Sequence, residues 1–178
     1  MKEHKKGYLA FKTEISSDEA NSFAARIMGI DQNFKVNSLN KLHSTTHILK
    51  GIRSDEVGAL SEGVKQGLRA IADSPIRVGG YGVSENAHGC LLYFPTTTPE
   101  HFSQFDLAVR GSIPNAEERV ITSEFLHNSA LYLREPKLRL VHKLHEHLLR
   151  RIFEEISWEF YVKKIAVCFK RVKIITAD

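Results

Sequence analysis

At 178 residues the chain is expected to form one domain, 1–178, large enough to bury a core without disulfide or metal staples. Its apolar fraction of 42% and charged fraction of 26% are those of a soluble globular protein, and no apolar run reaches signal-peptide or membrane-spanning length. A cytoplasmic monomer without a membrane partner is therefore expected, and the net charge of +4 suits an anionic ligand while falling short of a nucleic-acid-coating tail.

The basic residues gather at Lys2 to Lys6, Arg150–Arg151, Lys163–Lys164 and Lys170 to Lys173. Two cysteines occur, Cys90 and Cys168, each inside an apolar run, with no CxxC and no zinc-module spacing. They read as reduced, half-buried thiols without chemistry.

In chain order, "GYLAFKTEI" (7–15) alternates as a strand, and "SSDEANSFAARIMG" (16–29) reads as a helix opened by a Ser16/Glu19 capping box and stopped by Gly29. A short extended piece leads to a strand over 42–49. Val57, Leu60, Val64, Leu68 and Ile71 fall at helical steps, so 54–73 is an amphipathic helix that tolerates three glycines. "IRVGGYGVS" and "GCLLYFP" are two strands joined by "ENAHG". Thr98 and Pro99 predict a helix start, 110–119 is a loop, and "VITSEFLHNSALYL" (120–133) is a strand. From Pro136 a long helix carries Leu138, Val141, Leu144, Leu148, Ile152 and Ile156 on one side, and a strand or strand pair closes the chain. Each half has a His-bearing strand followed by a long helix. The expected architecture is α+β: a bilobed single domain, two pseudo-symmetric antiparallel sheets forming a central cleft, helices outside.

Alternation puts His43, Thr45 and His47 on one face of the first such strand, and His127 with Ser129 on one face of the second. If the strands lie together, one cleft holds two imidazoles and two hydroxyls. That set suits phosphodiester cleavage without a metal: a base for the attacking oxygen, an acid for the leaving oxygen, and hydroxyls to grip the non-bridging oxygens.

"HSTT" at 43–46 and "HNSA" at 127–130 resemble the paired His-x-Thr/Ser-x motifs of the two-histidine (2H) phosphoesterases, which include the 2′-5′ RNA ligase-like proteins and the cyclic phosphodiesterases. The resemblance runs over roughly 7–175. It implies His43 and His127 as base and acid in an order the sequence leaves open, Thr45 and Ser129 as phosphate-holding groups, and no cofactor or metal. The implied substrate partner is an RNA end or (cyclic oligo)nucleotide: a 2′,3′-cyclic phosphate, a 2′-5′ linkage or a cyclic nucleotide. The chain departs from the family at Ser44 and Asn128, where an apolar residue is usual, and at Ser129, where threonine is commoner. Asn128 on an inward face needs a hydrogen-bond partner.

Further substrate contacts are expected from His47, Tyr81, Lys12, Trp158 and Lys163, each with a packing or solvated reading beside it. Two rivals remain: a non-catalytic nucleotide- or RNA-binding module, and a metal-dependent hydrolase. For the latter, His43 and His47 would need two more ligands, and His142, His145 and His147 read as a solvated helix face.

Overall fold

The structure, a computed structural model, describes residues 3–169 and 171–177. In chain order the elements are β1 (Glu3–Lys12), α1 (Ser17–Met28), a 3-10 turn (Leu39–Lys41), β2 (His43–Arg53), α2 (Val57–Ile71), β3 (Pro75–Gly79), β4 (Gly82–Asn86), β5 (Gly89–Thr96), α3 (Phe102–Gly111), α4 (Ala116–Arg119), β6 (Val120–Thr122), β7 (Leu126–Leu133), α5 (Pro136–Glu154), β8 (Ser157–Tyr161), β9 (Lys164–Cys168) and β10 (Val172–Thr176). The strands form one antiparallel path, β10-β9-β1-β2-β7-β5-β3-β8, with β4 on β5 and β6 on β2. The two expected sheets are the halves of this path, and they meet where Ser44 of β2 pairs with Asn128 of β7.

That order reads the same outward from the β2–β7 junction in both directions, β1-β9-β10 on one side and β5-β3-β8 on the other. Each half owns a core. One gathers Leu9, Phe11 and Leu49 against α2 and α3, and the other gathers Leu92, Phe94 and Leu131 against α1 and α5. No helix among the described residues is long and apolar enough to cross a membrane.

The local signals explain most of the elements. Ser16 and Glu19 close the capping box of α1, whose Phe23 and Ile27 are buried. Leu60, Val64, Leu68 and Ile71 bury the inner face of α2. Its Gly63 and Gly67 let α3 approach closely, since a Cβ at either would fall within 2.7 Å of Ala108 or Phe105 atoms. The glycines thus trade helix propensity for helix–helix contact.

Four expectations shift. The stretch 76–84 breaks into β3 and β4 at Gly80, whose φ of +88° lies in the left-handed region. Thr98 and Pro99 do not begin α3, because the chain turns at His101 (φ 60°) and the helix opens at Phe102. The strand expected over 120–133 divides into β6 and β7, and the loop before it holds the one-turn α4. In α5, Leu144 and Leu148 face solvent, whereas Leu138, His142, Leu149 and Phe153 are buried. The buried residues recur at four- and seven-residue steps, one stripe along α5 that leaves Leu144 and Leu148 to its side, and a non-helical His145 (φ −116°, ψ 18°) kinks the helix midway.

Candidate active site

The register at the junction builds the site. With Ser44 opposite Asn128 in antiparallel pairing, one step either way sets His43 across from Ser129 and Thr45 across from His127. Each imidazole thus stands across from the other strand's hydroxyl, and all four side chains line one cleft of about 320 Å³. Asn37, Ser38 and Lys41 supply its wall from the segment before β2. A larger groove of about 750 Å³ between α2 and α3 contains no imidazole in its lining.

The two motifs share a further device. Leu9 faces His47 and Ala10 faces Thr45, leaving Thr46 as an extra residue in β2. Likewise Leu92 faces Leu131 and Tyr93 faces Ser129, leaving Ala130 extra in β7. A bulge therefore follows the hydroxyl residue in both strands. It overturns the expectation for His47: the bulge rotates this side chain off the cleft face, and His47 is fully buried against Phe102 and Phe105 of α3. Its Nε2–H donates to Asp106 at 3.0 Å. Asp106 in turn accepts from Arg110 and Thr122. Burial pushes the His47 imidazole down to about 4 despite the Asp106 carboxylate, leaving it neutral with Arg110 as the cation of the group. His47 is a core residue tying α3 to β2.

The other expected substrate contacts also lie off the cleft. Lys12 pairs with His43 in the β1–β2 register, but its side chain lines a separate groove with Lys164. The Tyr81 hydroxyl is bonded to His142 and its ring packs on Phe153. Trp158 is buried, with its Nε1 donating to Glu19 and its ring edge-on to Phe94. Lys163 is exposed in the turn between β8 and β9. Lys2 and Lys170 of the basic groups lie outside the described residues.

What the sequence reading missed is the setting of each imidazole. His43 is exposed and stacked on Tyr8 of β1 at 5.6 Å. Its Nδ1 sits 3.3 Å from the Lys41 carbonyl, which can only accept, so Nδ1–H is the donor of this contact. The Tyr8 hydroxyl is pushed up to about 12 by its hydrogen bond with Cys168 and by burial, so it stays neutral beside the imidazole. His127 meets Tyr93 edge-on at 5.1 Å and Phe125 at 5.2 Å. Burial, then the facing His43, holds the His127 imidazole below its usual range, against a hydrogen bond to the Phe125 backbone.

Beneath the cleft, the two departures from the family pattern satisfy each other. Asn128 Nδ2 donates to Ser44 Oγ at 2.7 Å and to Thr96 Oγ1 at 2.8 Å, and its Oδ1 accepts from Thr13 Oγ1 at 2.8 Å. Ser44 Oγ donates to Thr96 at 3.1 Å. Ser44 and Asn128 are completely buried, and Thr13 and Thr96 nearly so. Thr13 follows β1 and Thr96 ends β5, so the knot spans both halves at the junction. No buried side-chain nitrogen or oxygen among the described residues lacks a partner. Asn37 adds a clamp above, its backbone N–H donating to Ala130 and its side chain to the Ser129 carbonyl.

The curled antiparallel sheet, with the His-bearing strands β2 and β7 at its centre, is a fold shared with solved phosphoesterase structures. Among solved structures the chain is similar to Kluyveromyces marxianus Usb1 with uridine monophosphate, at TM-score 0.58 and 13% identity over 97% of this chain and 99% of that one. It is similar to TT0787 of Thermus thermophilus at TM-score 0.57 and 12% identity, covering 97% of this chain and 95% of that one. The PDE domain of MHV ns2 follows at TM-score 0.55 and 8% identity, covering 97% and 98%. No protein-family model matches the sequence, and no curated protein matches it. At such identities the likeness establishes the fold, and the chemistry rests on the residues in the cleft.

Proposed function

We propose that the chain is a metal-independent phosphodiesterase acting on RNA ends or small nucleotides: 2′,3′-cyclic phosphates, 2′-5′ linkages or cyclic (oligo)nucleotides. The observation that carries this reading is the register that crosses His43 with Ser129 and Thr45 with His127 in one cleft. One neutral imidazole takes the proton from the attacking oxygen, of water or of a ribose hydroxyl, as that oxygen bonds to phosphorus. The other, protonated, gives its proton to the oxygen whose bond to phosphorus breaks. Thr45 and Ser129 donate to the non-bridging oxygens, where charge builds in the transition state. Lys41 on the cleft wall adds a cation for a neighbouring phosphate. The uridine monophosphate with the Usb1 neighbour supports a nucleotide in this cleft.

Removing a hydroxyl takes away one donor and leaves both proton carriers in place. Thr45→Ala and Ser129→Ala are therefore expected to lower kcat by about ten- to a hundredfold, less than loss of an imidazole, and Ser129→Thr to be tolerated. Steady-state rates on a cleaved dinucleotide check this, and wild-type turnover in Ser129→Ala would make that residue packing alone.

The proton requirement gives the test of the whole reading. As pH falls both imidazoles become protonated and the base is lost; as pH rises the acid is lost. Turnover should therefore be bell-shaped. Because burial and the facing His43 oppose protonation of His127, the acid limb should lie below the ordinary histidine value of about 6.5. A panel of 2′,3′-cyclic, 2′-5′, 3′-5′ and cyclic substrates, assayed across pH with and without EDTA, decides. Bell-shaped, chelator-insensitive turnover supports the proposal. Activity lost to EDTA and restored by added metal would point to a metal hydrolase, and tight binding without turnover to a binding module.

A further inference from the structure

Away from the cleft, the β4–β5 hairpin and α5 bring together three donors that are scattered in sequence. Glu85 and Cys90 are opposite each other in the hairpin register, so the carboxylate and the thiol share a face. His142 descends onto that face from α5. The three donor atoms lie within 4.8 Å of one another. Cys90 Sγ and His142 Nδ1 are 3.9 Å apart, close to the edge of about 3.6 Å that follows for a thiolate and an imidazole on one tetrahedral zinc ion.

The imidazole is already oriented for this. The Tyr81 hydroxyl sits 2.7 Å from His142 Nε2 and fixes the ring. With Nε2–H donating to Tyr81, Nδ1 turns its lone pair toward Cys90 and Glu85, the way outer hydrogen bonds commonly set a metal-bound histidine. Cys90 is fully buried and His142 nearly so, whereas Glu85 is exposed and leaves the site one solvent-facing side.

We propose that Cys90, His142 and Glu85 form a site for a thiophilic divalent cation, with zinc the best match and water in the fourth position. Sulfur and nitrogen donors select against calcium and magnesium. On binding, the Cys90 thiol releases its proton to solvent and sulfur, nitrogen and carboxylate oxygen each bond to the ion, with no change of oxidation state. The two anionic ligands neutralise the dication, which suits a site whose Cys90 belongs to a buried apolar cluster with Leu133 and Leu138. The ion clamps the hairpin to α5 one turn before its kink at His145. It takes no part in turnover. Cys90 pairs with Leu133, six positions along β7 from His127, or about 20 Å at strand spacing.

The test uses the full chain stripped of metal. Titration with cobalt(II) should give a thiolate-to-cobalt charge-transfer band saturating at one ion per chain, reversed by zinc. Cys90→Ser and His142→Gln should abolish the band, and the exposed Glu85→Gln, which does not threaten folding, should weaken cobalt binding about tenfold or more. Cys168→Ser and His43→Ala should leave it intact. Zinc should raise the Tm of the wild type and not that of Cys90→Ser, while Cys90→Ser keeps wild-type turnover. Absence of the band, its survival in Cys90→Ser, or its loss in His43→Ala would overturn the site.

Discussion

Replacing either His43 or His127 with alanine is expected to lower kcat/KM by about a hundred- to ten-thousandfold, the usual contribution of a positioned acid or base. The two groups serve one reaction coordinate, so the double variant should be little slower than either single one. Stability should hold. His43 is exposed, and its loss forfeits little beyond the stack on Tyr8, within about 0.5 kcal/mol for such a surface change. His127 is half-buried beside Tyr93 and Phe125, so about 1 kcal/mol is expected there. Rates on the best substrate of the panel, with Tm measured on the same preparations, check both halves of the prediction. Near wild-type turnover in either folded single variant would refute the shared acid–base role.

Asn128→Ala should be the most damaging change outside the cleft. It removes three buried hydrogen bonds and leaves the Thr13 hydroxyl without its acceptor, which costs about 2–4 kcal/mol. Turnover should also drop tenfold or more, because the knot sits under the residues that pair β2 with β7, and small displacements of reacting groups are costly. The damage comes from half-satisfied polar groups. Converting the whole knot to apolar residues (Thr13→Val, Ser44→Ala, Thr96→Val and Asn128→Leu together) should therefore restore much of the stability lost in Asn128→Ala. Denaturant melts of the two variants decide this. A quadruple variant less stable than Asn128→Ala would show that the knot stabilises the protein in its own right.

The parts that depend on near neighbours were legible from the amino-acid order alone. The capping box of α1, the buried stripe of α2 and the strand alternation that puts His43 with Thr45, and His127 with Ser129, are all set within a few residues. Such features follow from backbone period and cap chemistry, which act locally. Asn128 likewise announced a need for a partner before any partner was visible.

Which partner answered, and where the strand period broke, depended on contacts between distant segments. The bulge at Thr46 is a property of the β1–β2 register, and it carried His47 from the expected cleft face into the core. In α5 the side that packs inward carries Leu138, His142, Leu149 and Phe153, so His142 is buried against Tyr81, where a solvated face was expected. The nearness of Cys90 to Glu85 across a turn and to His142 on a distant helix was not legible either, because the three form no motif in sequence. In each case the deciding contact is long-range. Local pattern fixes which way a side chain points from its own strand or helix, but pairing and packing fix what it meets.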